Sequence, residues 1–167
     1  TVLSLPFLGR NLIETESELD HAADAVAALA ESAEQAGVVL GIQSTLNASQ
    51  LLLLLGAGGH SPCVKVYFDT GNALARKYDV ATFIRDLGCG SICGVHLQDV
   101  RVSEGAPPDF DVALGQGSVD FRAVLHALRA CRYDGYLMLQ TPGGGDPPAS
   151  ARANLRFARD LLGSGAD

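Results

Sequence analysis

Two hydrophobic periods alternate along this chain. Short, nearly unbroken apolar runs are separated by longer stretches whose apolar residues recur every three or four positions. The clearest run is Val64-Lys65-Val66-Tyr67-Phe68-Asp69, followed at once by Thr70-Gly71-Asn72. A run this short, rich in β-branched and aromatic residues, predicts a strand buried on both faces. The same architecture recurs: Val38-Val39-Leu40-Gly41-Ile42 ends on Gln43, Ile92-Cys93-Gly94-Val95 on His96, and Tyr136-Leu137-Met138-Leu139 on Gln140. Thr1 to Phe7 predicts one more strand, closed by Pro6 and a Gly9-Arg10 turn.

Helices are expected in between. Thr15 and Glu18 have capping-box spacing, and Leu19, Ala22, Ala23, Val26, Leu29, Ala30 and Ala33 follow at helical intervals up to Gly37, the expected stop. Asn47 or Ser49 caps a short helix through Leu51 to Leu55, which the Gly56-Ala57-Gly58-Gly59 cluster breaks. That cluster lacks the lysine and the strand-to-helix setting of a phosphate-binding loop. A brief turn over Ala73 to Arg76 and a helix capped by Asp79 come next, the latter stopped at Gly88. Val100 to Ser118 is expected to be a long loop, of the kind that is often functional. Asp120 caps a helix carrying Phe121, Val124, Leu125 and Leu128. Pro142-Gly143-Gly144-Gly145 is a flexible turn, and Asp146 starts a last helix with Leu155, Leu161 and Leu162 as its apolar face.

A strand–helix pair repeated five times demands a parallel α/β sheet with right-handed crossovers. Composition (47% hydrophobic, 19% charged) fits one globular domain over 1–167 with a sizeable core. The net charge of −7 argues against nucleic acid. No apolar stretch approaches the roughly 18 to 20 residues of a membrane span, and no signal peptide is expected. The four cysteines include no C-x-x-C pair; Cys89 and Cys93 are expected as packed thiols, in keeping with a reducing cytoplasm rather than a disulfide framework. A chain that opens on Thr1, already at a strand, is expected to be a fragment or a processed piece.

Parallel strands put their carboxyl ends on one side, so Gln43, Asp69, His96 and Gln140 should face one crevice. One carboxylate, one imidazole and two amide oxygens could hold a manganese, magnesium or zinc ion. Each residue alone is more often a cap or a hydrogen-bonded core group; four at equivalent positions favour a shared site. Acyl-transfer, nucleotide and redox signatures are missing from the sequence.

Four segments carry a family likeness: Phe68-Asp69-Thr70-Gly71-Asn72, Gly94-Val95-His96-Leu97-Gln98-Asp99, Leu114-Gly115-Gln116-Gly117-Ser118-Val119-Asp120-Phe121 and Tyr133-Asp134-Gly135-Tyr136-Leu137-Met138-Leu139-Gln140. Together they resemble the xylose-isomerase-like TIM barrels, and among them the sugar phosphate isomerase/epimerase group. The resemblance runs from about Leu3 to Leu162 and matches the last five of eight βα units, which implies an incomplete barrel. It implies a divalent ion (Mn, Mg, Zn or Co) at the tips of four strands, with two glutamates moving a proton beside a carbonyl so that a ketose is isomerised or epimerised through an enediolate. Asp69 and His96 match the two ligands that are not glutamate. Asn72 stands where some epimerases contact substrate, and Arg101 near where a substrate-binding arginine is found.

Both glutamate positions are glutamine here, Gln43 and Gln140. A primary amide is no general base at neutral pH, and with one carboxylate left the cation should be held weakly or not at all. Glu104, Asp99, Asp109 and Asp111 are substitute carboxylates in principle, with solvated charges the commoner outcome. Three readings follow: an impaired isomerase of a small sugar or sugar phosphate, a catalytically silent sugar-binding protein, and a structural piece completed by another chain. Five strands also leave open edges, to be covered by a missing amino-terminal portion or by a second subunit.

Overall fold

The apolar runs become five strands in one sheet, ordered β1-β2-β3-β4-β5 with every neighbouring pair parallel. In the computed structural model, which describes residues 1–142 and 145–163, the elements run β1 (Val2–Phe7), α1 (Glu16–Ala36), β2 (Val39–Ser44), α2 (Ala48–Ala57), β3 (Val64–Asp69), α3 (Thr70–Ala75), α4 (Val80–Leu87), β4 (Ile92–Gln98), α5 (Phe121–Ala130), β5 (Tyr136–Gln140) and α6 (Pro147–Gly163). This is the TIM-barrel type of α/β fold, with the barrel unclosed: β1 and β5 are both edges. The expected turn at Pro142 to Gly145 falls partly on Gly143 and Gly144, which lie outside the described residues.

Local signals account for the helix ends. Thr15 and Glu18 form the reciprocal capping box of α1, and Gly37 closes it in the left-handed conformation. Asn47, with Gln50, builds a second capping box on α2. The glycine cluster ends that helix later than expected, since Gly56 lies inside it and Gly58 is its cap. Asp79 and Asp120 accept from Thr82 N and Ala123 N to start α4 and α5. On α1 the stripe Leu19, Ala22, Val26, Ala30 and Ala33 is buried, whereas Leu29 is largely exposed. Val66, Phe68, Val95 and Leu97 meet Val26, Leu54, Ile84 and Val124 in one core. Burying such side chains contributes about 1.5–3 kcal/mol each.

Three expectations need correcting. Leu155 and Leu162 do not form the apolar face of α6: they are 41% and 43% exposed, and Asn154 and Ala158 are the buried residues. The reason is geometric. Asn154 Oδ1 accepts from Leu114 N, so the helix docks on the long loop through a polar contact. Strand β5 is not buried on both faces; Tyr136 is 78% exposed because an edge strand of an open sheet has one uncovered side. Cys89 is not a free packed thiol but is joined to Cys131 at the end of α5, with Cα atoms 5.8 Å apart. Cys63 and Cys93 are free.

The loop after β4 is fixed by one buried carboxylate. Asp99 accepts from the backbone N–H groups of Val100, Gly115, Gly117 and Val119 at 2.8–3.1 Å. Gly117 has to be glycine, since a Cβ there would collide with the Asp99 carboxylate and lie 2.7 Å from Val100 O. Asp99 is therefore neither solvated nor available as a substitute base. Asp109 pairs with Arg101 at the surface. Asp99→Asn should cost about 3 kcal/mol in urea unfolding, because an amide cannot accept on both sides. Asp109→Asn, at an exposed pair, should change it by less than about 1 kcal/mol.

Candidate functional site at the strand tips

In β4 the chain carries one extra residue opposite β3. Val66 pairs with Ile92, but Tyr67 pairs with Gly94, leaving Cys93 as a bulge. Beyond it Asp69 lies opposite His96, and both side chains share one face. Without the bulge Asp69 would face Val95, whose side chain belongs to the core. On the neighbouring pair Gln98 lies opposite Gln140.

Six polar side chains from five strands meet here. Gln43 Nε2 lies 3.2 Å from His96 Nδ1, and Ser4 Oγ donates to Gln43 Oε1 at 3.4 Å. His96 Nδ1 is 3.6 Å from Asp69 Oδ2. The Gln98 amide, oriented to satisfy both of its neighbours, directs its nitrogen at the Asp69 oxygens (3.1 and 3.2 Å) and accepts from Gln140 Nε2 at 3.0 Å. Asp69 Oδ1 also caps α3 by accepting from Asn72 N at 2.8 Å. Gln43 and Asp69 are buried, and the His96 side chain is mostly so. Thr70 Oγ1 locks the two central strand ends by donating to Gln98 O and accepting from Gln98 N.

The floor beneath is aromatic. The Tyr67 ring lies against His96, centroids 4.6 Å apart, and fits because Gly41 and Gly94 flank it. A Cβ on Gly94 would sit 2.8 Å from Tyr67 Cζ. Burial raises the Tyr67 phenol and pushes the Cys93 thiol up to about 11, so the floor stays uncharged near neutral pH.

The structure thus brings Gln43, Asp69, His96 and Gln140 together and adds Gln98 and Ser4, which sequence reasoning missed. Gln98 could have been found, since residues two apart on a strand share a face and His96 was already a candidate. Asn72 contributes its backbone N–H to Asp69. Arg101 is engaged in its own loop by Asp109 Oδ2 at 3.1 Å and Gln116 O at 3.4 Å. Arg76, also unforeseen, reaches from the end of α3 to Thr45 Oγ1 beside the tip of β2.

These residues do not fit a divalent ion of the kind the resemblance implies. Among the described residues no three His, Cys, Asp or Glu side chains gather as ligands. The atoms a cation would take, both Asp69 oxygens and His96 Nδ1, already face amide N–H donors. Amide nitrogens are not ligands for hard cations.

The Gln43 orientation that accepts from Ser4 Oγ turns Nε2 toward His96 Nδ1, and that assignment requires Nδ1 to accept and the ring proton to be on Nε2. Long-range 1H–15N correlation should show that tautomer. Gln43→Leu should shift the ring toward Nδ1–H, because Asp69 is then the remaining neighbour of Nδ1.

The xylose isomerase-like TIM barrel family model matches residues 3–161. A putative L-ribulose-5-phosphate 3-epimerase SgbU of Escherichia coli (strain K12) is 35% identical over 82 residues, 48% of this chain and 28% of that protein. Among solved structures, the IOLI protein with a binding zinc atom superposes with TM-score 0.79 at 18% identity, over 98% of this chain and 63% of that one. An L-ribulose 3-epimerase gives 0.76 at 24% identity, over 90% and 56%. A xylose isomerase domain protein from Planctomyces limnophilus gives 0.77 at 20%, over 96% and 58%. The chain spans less than two thirds of each of these relatives. With a match over nearly its whole length and the parallel βα order to go with it, the chain belongs to the xylose isomerase-like TIM barrel family.

Proposed function

We propose that residues 1–167 form a single partial barrel domain that binds a small sugar or sugar phosphate at the carboxyl ends of β2 to β5. In this reading it is an isomerase/epimerase-type protein impaired in proton transfer. The observation that carries it is the convergence of Gln43, Asp69, His96, Gln98 and Gln140 on one face. A cluster of amides, a carboxylate and an imidazole matches the alternating donors and acceptors of a polyol. The names of the relatives, a ribulose-phosphate epimerase and a ribulose epimerase, support that substrate class.

Isomerisation beside a carbonyl requires one group to remove a carbon-bound proton and another to return it. Gln43 and Gln140 occupy the two base positions of the resemblance, and a carboxamide has no basic site near neutral pH. Asp69 is held by Gln98, Asn72 and the His96 edge, and Asp99 is sealed into the loop. His96 remains the one titratable imidazole in the cluster, too few for a two-base exchange. The chain's residues therefore bind and orient substrate hydroxyls, with Asn72, Arg76 and Arg101 at the rim.

The test compares the protein with its Gln43→Glu/Gln140→Glu variant on L-ribulose, D-tagatose and L-ribulose 5-phosphate in D2O with Mn2+ present. NMR follows deuterium uptake at the carbon beside the carbonyl, and saturation-transfer NMR follows binding. The unaltered protein should bind a ketose without exchange, and the double variant should gain at least about a hundredfold in exchange rate. Exchange by the unaltered protein at the variant's rate would overturn the proposal, as would no ketose binding by either.

A further inference from the structure

We infer that Gln98 makes this site independent of metal: its amide nitrogen takes the place of a cation on Asp69. This rests on the reading of the strand tips as a ligand site but concerns what holds that site together.

A carboxylate buried as deeply as Asp69 needs positive or donating partners on both oxygens. In a metal site the cation supplies them, and the ligand side chains present lone pairs to an otherwise donor-free centre. Here the donors are built in. Of the two orientations of the Gln98 amide, one sets its oxygen against the Asp69 oxygens and its nitrogen against Gln140 Nε2; only the other makes hydrogen bonds, with the nitrogen 3.1 and 3.2 Å from the two carboxylate oxygens, and the Asn72 N–H adds a third contact. The remaining lone-pair atom, His96 Nδ1, has Gln43 Nε2 at 3.2 Å. The Gln98 oxygen is satisfied in turn by Gln140 Nε2 at 3.0 Å. Among the described residues no buried side-chain nitrogen or oxygen lacks a partner.

Gln98 is the decisive member because of where the strands put it. Opposite Gln140 and two residues beyond His96, it is held at both ends by neighbouring side chains. Thr70 fixes its backbone by bonding to Gln98 N and O. Displacing the amide would break its contacts to Asp69 and Gln140 together. Metal binding must therefore compete with an internal network and not only with water.

Mn2+ titration by calorimetry and by thermal shift, with and without EDTA, tests this on four proteins. They are the unaltered chain, Gln98→Ala, Gln43→Glu/Gln140→Glu and the triple Gln43→Glu/Gln98→Ala/Gln140→Glu variant, each checked for folding by circular dichroism. EDTA should leave the unaltered protein's Tm unchanged, and Mn2+ in large excess over protein should neither raise it nor produce a heat of binding. The triple variant should bind Mn2+ at least about tenfold more tightly than the double variant, since only there is Asp69 released. Stoichiometric Mn2+ uptake by the unaltered protein, abolished by Asp69→Asn, would overturn the inference. Equal Mn2+ affinity in double and triple variants would overturn the role of Gln98. Should the triple variant not fold, Gln98→Ala against the unaltered chain makes the same comparison, with tighter Mn2+ binding expected in the variant and equal affinity refuting. Metal uptake without ketose exchange would refute this inference and leave the proposed function standing; metal-free ketose exchange by the unaltered chain would do the reverse.

Discussion

One inserted residue in β4 decides which side chains meet. A strand's side chains alternate between faces, so a slip of one position exchanges the whole set. The bulge at Cys93 makes that exchange at the start of β4: Ile92 is still aligned with the core-facing Val66, whereas His96 is aligned with Asp69. The apolar contacts of Val95 and Leu97 with the helices hold the new register, because reversing it would bring those side chains out of the core. The same bulge presents Gly94 to Tyr67, so the ring can lie down beneath the imidazole. Site geometry and core packing are thus one constraint seen from the two faces of the sheet.

The second constraint is the cost of burying charge. Asp69 and Asp99 sit at the ends of adjacent strands, both almost wholly buried, and each is met by several N–H donors. Their donors differ in kind. Backbone amides of the Gly115 to Val119 turn surround Asp99, which makes it a clamp that organises the loop. The Gln98 side-chain amide and the Asn72 N–H at the start of α3 meet Asp69, which ties it to its neighbours at the strand tips. The two carboxylates are alike in residue type and burial, and their donors set them apart.

Much of this was legible in the sequence. The capping residues Thr15, Asn47, Asp79 and Asp120 each act through a contact three residues away, and a local code predicts local bonds. The strand tips were legible because each apolar run stops on a polar residue. What failed was non-local. The run Ile92-Cys93-Gly94-Val95 has no alternation in which a bulge could appear. Cys89 and Cys131 are 42 residues apart, and the packing of α5 against α4, which ends just before Cys89, brings them together. Asp99, beside a loop rich in charges, was indistinguishable from its solvated neighbours until the turn that wraps it was placed. Leu155 and Leu162 followed a helical period, yet α6 docks through Asn154, Phe157, Ala158 and Leu161, only the last of which the period had named.

The glutamines at the tips of β2 and β5 preserve the shape of a carboxylate while reversing the chemistry of one terminal atom. An oxygen that could accept a proton or meet a cation becomes a nitrogen that donates. Acceptor-only side chains crowded at one point repel unless a cation or proton lies between them. Side chains with one donor and one acceptor can instead close on each other, as Gln140 does on Gln98, Gln98 on Asp69 and Gln43 on His96. Such a chain of bonds is self-sufficient and needs no net charge to hold it. The amide orientation that satisfies Gln98 thus leaves an ordered array of donors and acceptors at the strand tips, with no acceptor set against another.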